Sequence, residues 1–268
     1  MAQLRDDRLR GVEWRDLLPL TRTEIAYETL ITTPWLAGSL TAWQLAHSGH
    51  PAFVAVALMS AFLFFLTGLR QVHNAYHYAL GLSRWSTDLT MFGLSIGMMS
   101  AMHAIQATHV NHHRHCLTHD DVEGHAARGA WWRAVLGGPA FAIRLHLAGW
   151  ALASARTRRW ILAELVALAL TAIAAVHIDW APLRAHVATM IVGQCFTAFF
   201  AVWTVHHDCD RALRIARTQR GRLKNVVSYD MFHHVEHHLF PAVPTCHLPE
   251  LSRRLDRAAP DYKDLTVY

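Results

Sequence analysis

Charged residues and cysteines are both scarce in this sequence. Charged residues make up 17% of its 268 residues and hydrophobic residues 53%, a balance that favours a membrane protein over a soluble one. The four cysteines form no Cys-x-x-Cys pair, so the sequence predicts neither a zinc ribbon nor a disulfide framework. The first ~25 residues are charged and lack the apolar core of a secretory signal peptide. We therefore expect the first membrane helix to act as the insertion signal.

Four long stretches are nearly free of charge, at about residues 30–45, 52–69, 160–178 and 185–205. Each approaches the ~20 apolar residues that cross a bilayer. We predict an all-α membrane protein in which these stretches form four transmembrane helices, arranged as two hairpins beneath a histidine-rich cytosolic cap. Residues 1–268 then form a single domain, which begins with a cytoplasmic segment at residues 1–28.

The Lys and Arg residues predict the orientation of these hairpins. Of the 25, only Arg184 falls in a hairpin turn, and basic residues accumulate on the cytoplasmic side of membrane proteins. Both termini and the central region are therefore expected in the cytoplasm, and the membrane is expected to be the inner (plasma) membrane of a bacterium. Because orientation accounts for the net charge of +5, no nucleic-acid partner is predicted.

Two further apolar stretches are predicted to lie at the membrane surface. Residues 89–107 are rich in Gly, Ser and Met, and we expect an interfacial or re-entrant helix there, because a full crossing would carry the histidines that follow to the opposite side. Residues 131–153 combine three Trp with two Arg and a His, which is typical of an amphipathic surface helix. The alternative is a fifth and a sixth span.

Histidine patterning is the feature that points to chemistry. The motif His-x-x-His-His occurs at His109, His112 and His113 and again at His234, His237 and His238, and a further pair is formed by His73 and His77. Positions i, i+3 and i+4 share one face of a helix, so each motif presents its imidazoles to a common point. Eight nitrogen ligands suit two ions with open positions, and such imidazole-rich sites favour iron over zinc. The alternative is solvated histidines on helix faces.

Together these motifs resemble the three histidine boxes of the integral-membrane fatty acid desaturase superfamily. The chain reads HNAYH at 73–77, HVNHH at 109–113 and HVEHHLFP at 234–241, in the family's order. The resemblance covers roughly residues 30–250. It implies a non-haem diiron centre, two Fe ions with O₂ as co-substrate, in a cytosolic cap above four membrane helices.

The resemblance also implies a ninth ligand near the end of the fourth span, for which His206 is our candidate. Asp210 is expected to share its helix face and to ligate or orient, while His207 points elsewhere. At Phe232-His233 the chain departs from many relatives, which have Asn followed by an aromatic residue; this affects a local hydrogen bond and not the box.

Other polar residues near the boxes are expected to contact the ligand imidazoles without binding metal, or to lie at the surface. Histidines that match no box include His103, His115, His119, His125, His146 and His247. Acidic residues that could accept the distal N–H of ligand imidazoles are Asp120, Asp121, Glu123, Asp208, Asp230 and Glu236. An ordinary solvated role is the alternative for each.

The resemblance implies an O₂-dependent oxidation of an unactivated methylene. Loss of two hydrogens leaves a C=C bond, whereas transfer of oxygen leaves an alcohol, and the same ligands serve both. The third box looks most like those of acyl-chain desaturases. We therefore favour a fatty acyl desaturase, acting on a lipid or an acyl thioester, over a hydroxylase or ketolase acting on a lipid or carotenoid.

The electrons for such a reaction are expected from an external ferredoxin or cytochrome-type donor, since no haem-binding or flavin-binding domain is recognisable. Arg-rich segments at 156–159 and 211–224 lie on the predicted cytoplasmic face and could steer an acidic donor, Arg217 and Arg220 among them. Anchoring near anionic lipid is the alternative.

Two other classes of membrane protein also use histidine. A metal transporter would place polar ligands midway through its spans, and these spans are nearly free of them. A di-haem cytochrome would pair single histidines across helices instead of clustering triplets.

Overall fold

The computed structural model describes residues 7–210, 214–264, 266 and 267. Within these ranges every regular element is a helix, as predicted. The α-helices are α1 Arg22–Leu30, α2 Thr33–His47, α3 Phe53–Tyr76, α4 Arg84–Met98, α5 Met102–His115, α6 Trp131–Leu136, α7 Gly138–Leu152, α8 Ala155–His177, α9 Ala181–Gln194, α10 Thr204–His206, α11 Arg222–Val227, α12 His234–Leu239 and α13 Leu248–Ala258. A π-helix, Ala198–Trp203, leads directly into α10.

Several helix starts are encoded locally. The hydroxyl of Thr21 accepts from the Glu24 N–H while the Glu24 carboxylate accepts from the Thr21 N–H, a capping box that begins α1. Ser83 and Ser154 cap α4 and α8 through their side-chain oxygens. Prolines occupy the first turn of α2, α7, α9 and α13, where their missing N–H is not needed.

Two helices of the described chain are long and apolar enough to cross a membrane, α3 and α8. They contain the predicted spans 52–69 and 160–178. The predicted span 185–205 is broken, because α9 and the helix from Ala198 to His206 meet at an angle of 41°. The predicted span 30–45 corresponds to α2, whose 15 residues reach only about 22 Å at 1.5 Å per residue. Four spans in two hairpins therefore stay a prediction.

The outward faces of α3 and α8 are apolar. On α8 the large apolar side chains that are exposed are Leu162, Leu165, Val166, Leu170, Ile173 and Val176. On α3, Val56 and Met59 are 50% and 60% exposed. Contiguous apolar surface of this kind marks contact with a membrane or another protein, and its position on the two longest apolar helices favours lipid.

The two stretches predicted as surface helices are each broken in two. Residues 89–107 run from α4 into α5 through Met99, whose φ of 54° lies in the left-handed region. Residues 131–153 form α6 and α7, which separate at Gly137. None of the four helices meets the length of a membrane span, and neither stretch is a single helix.

Two clusters of buried apolar residues organise the chain around the histidines. One joins α3, α4, α5 and α9. The other packs α12 against α13 and against the N-terminal residues Val12 and Leu17. In α13, Leu248, Leu251 and Leu255 are fully buried on one face, the spacing of an amphipathic helix. The N-terminal segment and α13 therefore cover the third histidine box.

Candidate metal centre

The first histidine pair lies at the end of α3. His73 is in the last turn and His77 is the residue after the helix. Between them, the Asn74 amide points to the other side of α3, where its nitrogen donates to Glu28 Oε2 at 2.7 Å. The Asn74 oxygen accepts from the backbone N–H and hydroxyl of Thr245. The box is therefore bonded to two distant segments.

The second box lies on α5, which begins inside the protein. The N–H groups of residues 101 to 103, which have no partner within the helix, donate to the side chains of His146, Ser95 and Glu164. Glu164 also contacts His103 Nδ1 at 2.6 Å. Side chains from α7, α4 and α8 thus fix the start of the helix that carries the box. His103 and His146 take part in these contacts and therefore help to position this helix.

The third box lies on α12, and His206 ends α10. The π-helix Ala198–Trp203 precedes His206; such wide turns are rare and occur mostly at functional sites. Glu236, inside the box and fully buried, accepts from the Thr218 hydroxyl at 2.7 Å and pairs with Arg220 at 2.7 Å. These bonds join α12 to the chain that follows α10.

The nine histidines predicted as ligands converge in two groups. Donor nitrogens within 4.8 Å of one another belong to His73, His77, His109, His113 and His237, the five-histidine group. The four-histidine group consists of His112, His206, His238 and His234. Each box of three therefore divides its imidazoles between the groups, while the first pair serves only one.

The four-histidine group has the dimensions of a metal site. Its Nε2 atoms form a ring with successive separations of 3.1 Å from His112 to His206, 3.0 Å to His234, 3.2 Å to His238 and 3.3 Å back to His112. A square with such sides has its centre about 2.2 Å from each corner, close to the about 2.0–2.1 Å of a zinc–imidazole bond. One ion at the centre would contact all four.

Oxygen atoms behind the rings orient three of these imidazoles. Nδ1 of His109 contacts Glu123 at 3.1 Å, Nδ1 of His112 contacts Asp121 at 2.8 Å, and Nδ1 of His206 contacts the Ile215 carbonyl at 2.8 Å. The prediction that flanking acids accept from ligand imidazoles is thus confirmed for Asp121 and Glu123. By contrast Asp120 and Asp208 are exposed, Asp230 lies near Arg70, and Glu236 pairs with Arg220.

This hydrogen bonding directs a lone pair into the four-histidine group. A carbonyl oxygen only accepts, so His206 carries its proton on Nδ1 and a lone pair on Nε2. His112, bonded through Nδ1 to Asp121, brings its Nε2 to 3.1 Å from that lone pair. In the five-histidine group the buried Nε2 of His73 has no hydrogen-bond partner within the described residues. A cation among the nitrogens would bind the lone pair of His206 and give His73 Nε2 a partner, so the donor set fits a metal ion.

Burial keeps most of these imidazoles neutral, the form that binds metal. It lowers the pKa of His109 to about 3. It also holds the pKa well below the usual range for His113, His234, His237 and His238. For His112 burial acts in the same direction, but Cys116 and the hydrogen bond to Asp121 outweigh it and raise the pKa. A metal at His112 must therefore displace a proton.

Two residues considered near His206 lie outside both groups. The chain leaves the helix after His206, and Asp210 is exposed, so the prediction that Asp210 shares the helix face of His206 is wrong. The ring of His207 stacks on Trp203 with centroids 4.0 Å apart, and its Nδ1 contacts the Trp203 carbonyl. His207 therefore points elsewhere, as predicted.

Cys116 is a candidate site residue that the sequence patterns did not single out. It is buried, and its sulfur lies 4.0 Å from His112 Nε2 and near the donor atoms of His206 and His238. Cys116 follows His112 by one helical turn, and this i+4 spacing was the signal that could have identified it.

Two arginines of the second Arg-rich segment form contacts within the fold. Arg217 is buried, donates to the His207 carbonyl at 2.8 Å and pairs with Asp208. Arg220 pairs with both Glu236 and Asp256. Docking of an electron donor at this segment stays a prediction; residue 211, where the segment begins, lies outside the described residues.

Cavities reach the histidines from two directions. One is almost entirely apolar, extends between α3, α5, α7 and the π-helix, and touches His73, His109 and His234. The other is a depression lined by Trp14, Arg114 and residues 238–242 that touches the five-histidine group at His77 and His113. The site is therefore accessible both to an apolar chain and to a surface partner.

Comparison with known proteins agrees with this geometry. The family model described as fatty acid desaturase matches residues 48–267, a range that includes all nine histidines. No curated protein matches the chain. Because the family match covers most of the sequence, the chain belongs to the fatty acid desaturase family.

Proposed function

We propose that this protein is an O₂-dependent, non-haem diiron fatty acyl desaturase of the membrane. The observation that carries the proposal is a mainly apolar cavity that ends on two groups of buried or partly buried imidazoles. Family membership supports an oxidoreductase of the desaturase or hydroxylase kind. A metal transporter has no use for such a cavity beside its ligands, and a di-haem cytochrome would need single histidines facing each other across a porphyrin.

We assign one iron to each histidine group. Iron supplies the redox chemistry that activates O₂, for which imidazole-rich sites with open positions are suited. The protein holds nine neutral or deprotonatable imidazoles at fixed separations, and Asp121 and Glu123 set the ring orientation of His112 and His109. Five of the nine imidazoles are buried and the other four are only partly exposed, which limits the access of water to the reacting centre.

The substrate is an acyl chain presented by a lipid or a thioester. Side chains from α3, α5 and α7 line the cavity. Among the described residues that line it, Glu123, which is hydrogen-bonded to His109, is the only Asp, Glu, Lys or Arg. Burial of apolar surface would hold one methylene segment beside the histidines.

Electrons come from a separate ferredoxin or cytochrome-type donor at the depression beside the five-histidine group. Trp14 and Arg114 lie at this surface, where His77 and His113 are reached without crossing the apolar cavity. With the positive-inside orientation, this face and both termini lie in the cytoplasm.

Lipid profiling of cells expressing the protein tests the reaction. We expect new unsaturated acyl chains in cells expressing the wild type, and none with His112→Ala, because the four-histidine ring then loses one donor. His115→Ala, on the same helix but outside both groups, is the matched control and keeps the products. Oxygenated products would identify a hydroxylase, and a profile unchanged by the wild type would reject both enzyme assignments.

A further inference from the structure

A buried ion pair joins α1 to α3 beside the first histidine pair. Glu28 and Arg70 are 0% and 1% exposed and meet through two bonds of 2.6 Å. The third donor of Arg70, Nε, reaches the Tyr229 carbonyl at 2.8 Å, and Asn74 donates to Glu28 at 2.7 Å. A bidentate pair with its remaining groups bonded in this way has one well-defined geometry.

This ion pair contacts the segment of the third box on both sides. Tyr229, which precedes the box, is bonded to Arg70. Thr245, which follows the box, donates its N–H and hydroxyl to Asn74 Oδ1 at 3.1 and 2.7 Å. We call Glu28, Arg70 and Asn74 the α1–α3 anchor; it fixes the position of the third box relative to the first.

A second anchor lies on the other side of the third box. The buried carboxylate of Glu236 binds Thr218 and Arg220, and Arg220 binds Asp256 at 2.7 Å. This Glu236 anchor joins α12 to the chain that follows His206, a ligand candidate of the four-histidine group. Each anchor thus connects the third box to a different contributor of imidazoles.

We propose that Glu28 is a positioning residue for the five-histidine group and Glu236 for the four-histidine group. The first histidine pair contributes only to the five-histidine group, which it completes with His237 of the third box. Loss of the α1–α3 anchor lets the third box shift relative to α3, while the Glu236 anchor keeps His234 and His238 near His206. This inference rests on the proposed metal centre.

Cobalt binding to the purified, metal-free full-length protein tests the proposal. His206→Ala leaves the five-histidine group as the intact site, and His73→Ala leaves the four-histidine group. In the His206→Ala protein, Glu28→Gln is expected to weaken Co²⁺ binding about 10-fold or more and to alter the cobalt absorption spectrum. In the His73→Ala protein, the same change leaves Co²⁺ binding unchanged. Glu236→Gln is expected to show the opposite pattern. Glu24→Gln, on the same helix but with a partly exposed side chain, is the matched control, since Gln also serves in a capping box.

A folding defect is distinguished by a variant that removes both charges. Glu28→Gln leaves Arg70 buried without its partner, which destabilises a protein, whereas replacing both partners by apolar side chains is often neutral. Glu28→Leu with Arg70→Met should therefore restore the melting temperature and leave the five-histidine site weak. Recovery of cobalt binding together with stability, or equal weakening of both sites, would overturn the proposal. A wild type that binds no cobalt would instead overturn the metal centre.

Discussion

At the scale of the residue, the site depends on which nitrogen of each imidazole carries the proton. Asp121 illustrates this point, since its carboxylate accepts from the N–H groups of Leu117 and Gly124 as well as contacting His112 Nδ1. The carboxylate is therefore held in place before it orients the ring. Its hydrogen bonds and the nearby imidazole lower the pKa of Asp121 although burial opposes them, so it is ionised at neutral pH.

We predict that Asp121→Asn weakens metal binding at the four-histidine group by about 10- to 100-fold, as loss of a carboxylate behind a ligand imidazole commonly does. The amide keeps the shape of the side chain but loses the charge that favours the Nδ1–H tautomer of His112. Competition with a calibrated chelator measures the affinity.

Asp120→Asn is the control for this change, because Asp120 is adjacent in sequence and its side chain is 78% exposed. It should bind metal as the wild type does. Equal affinities for both variants would show that Asp121 does not orient His112.

At the scale of the element, the close approach of α7 to α5 supports the second histidine box. Gly149 of α7 lies against the backbone of α5, where an added Cβ would stand 2.2 Å from the Ala104 oxygen. A glycine is required here because any side chain would separate the two helices. His146, on the same helix, reaches the start of α5 only at this spacing.

Gly149→Ala is expected to destabilise the protein by about 1–3 kcal/mol, the usual cost of overpacking a core, because the opposing atom is backbone and cannot turn away. Gly93→Ala on α4 is the matched control: no atom lies within 4 Å of its added Cβ, so the gain in helix propensity should stabilise by about 0.5–1 kcal/mol. Thermal unfolding in detergent measures both. A stable Gly149→Ala variant would contradict the packing.

At the scale of the whole molecule, function requires all histidine boxes on one side of the membrane. The two long apolar helices α3 and α8 and the bent helix pair that begins at α9 supply the membrane-facing part, and α12 and α13 pack with the N-terminal segment. From the distribution of Lys and Arg we expect the histidines in the cytoplasm.

Cysteine labelling of intact cells tests this orientation. In a background with the accessible native cysteines replaced by serine, His50→Cys in the turn before α3 is expected to react with a membrane-impermeant maleimide added outside. Arg222→Cys at the start of α11 should react only after the cells are opened. The reverse pattern would invert the topology, and labelling of both from outside would exclude a membrane between them.

Local sequence determined the helices, several of their caps and the identity of the nine converging histidines, because helical periodicity and capping act over a few residues. Tertiary structure decided the rest. His112 and His113 are neighbours yet belong to different groups, since adjacent residues point about 100° apart on a helix and only distant segments show which imidazoles each one meets. For the same reason, the sequence could not show which residues pair with Arg217 and Arg220, because these partners become neighbours only when the chain folds.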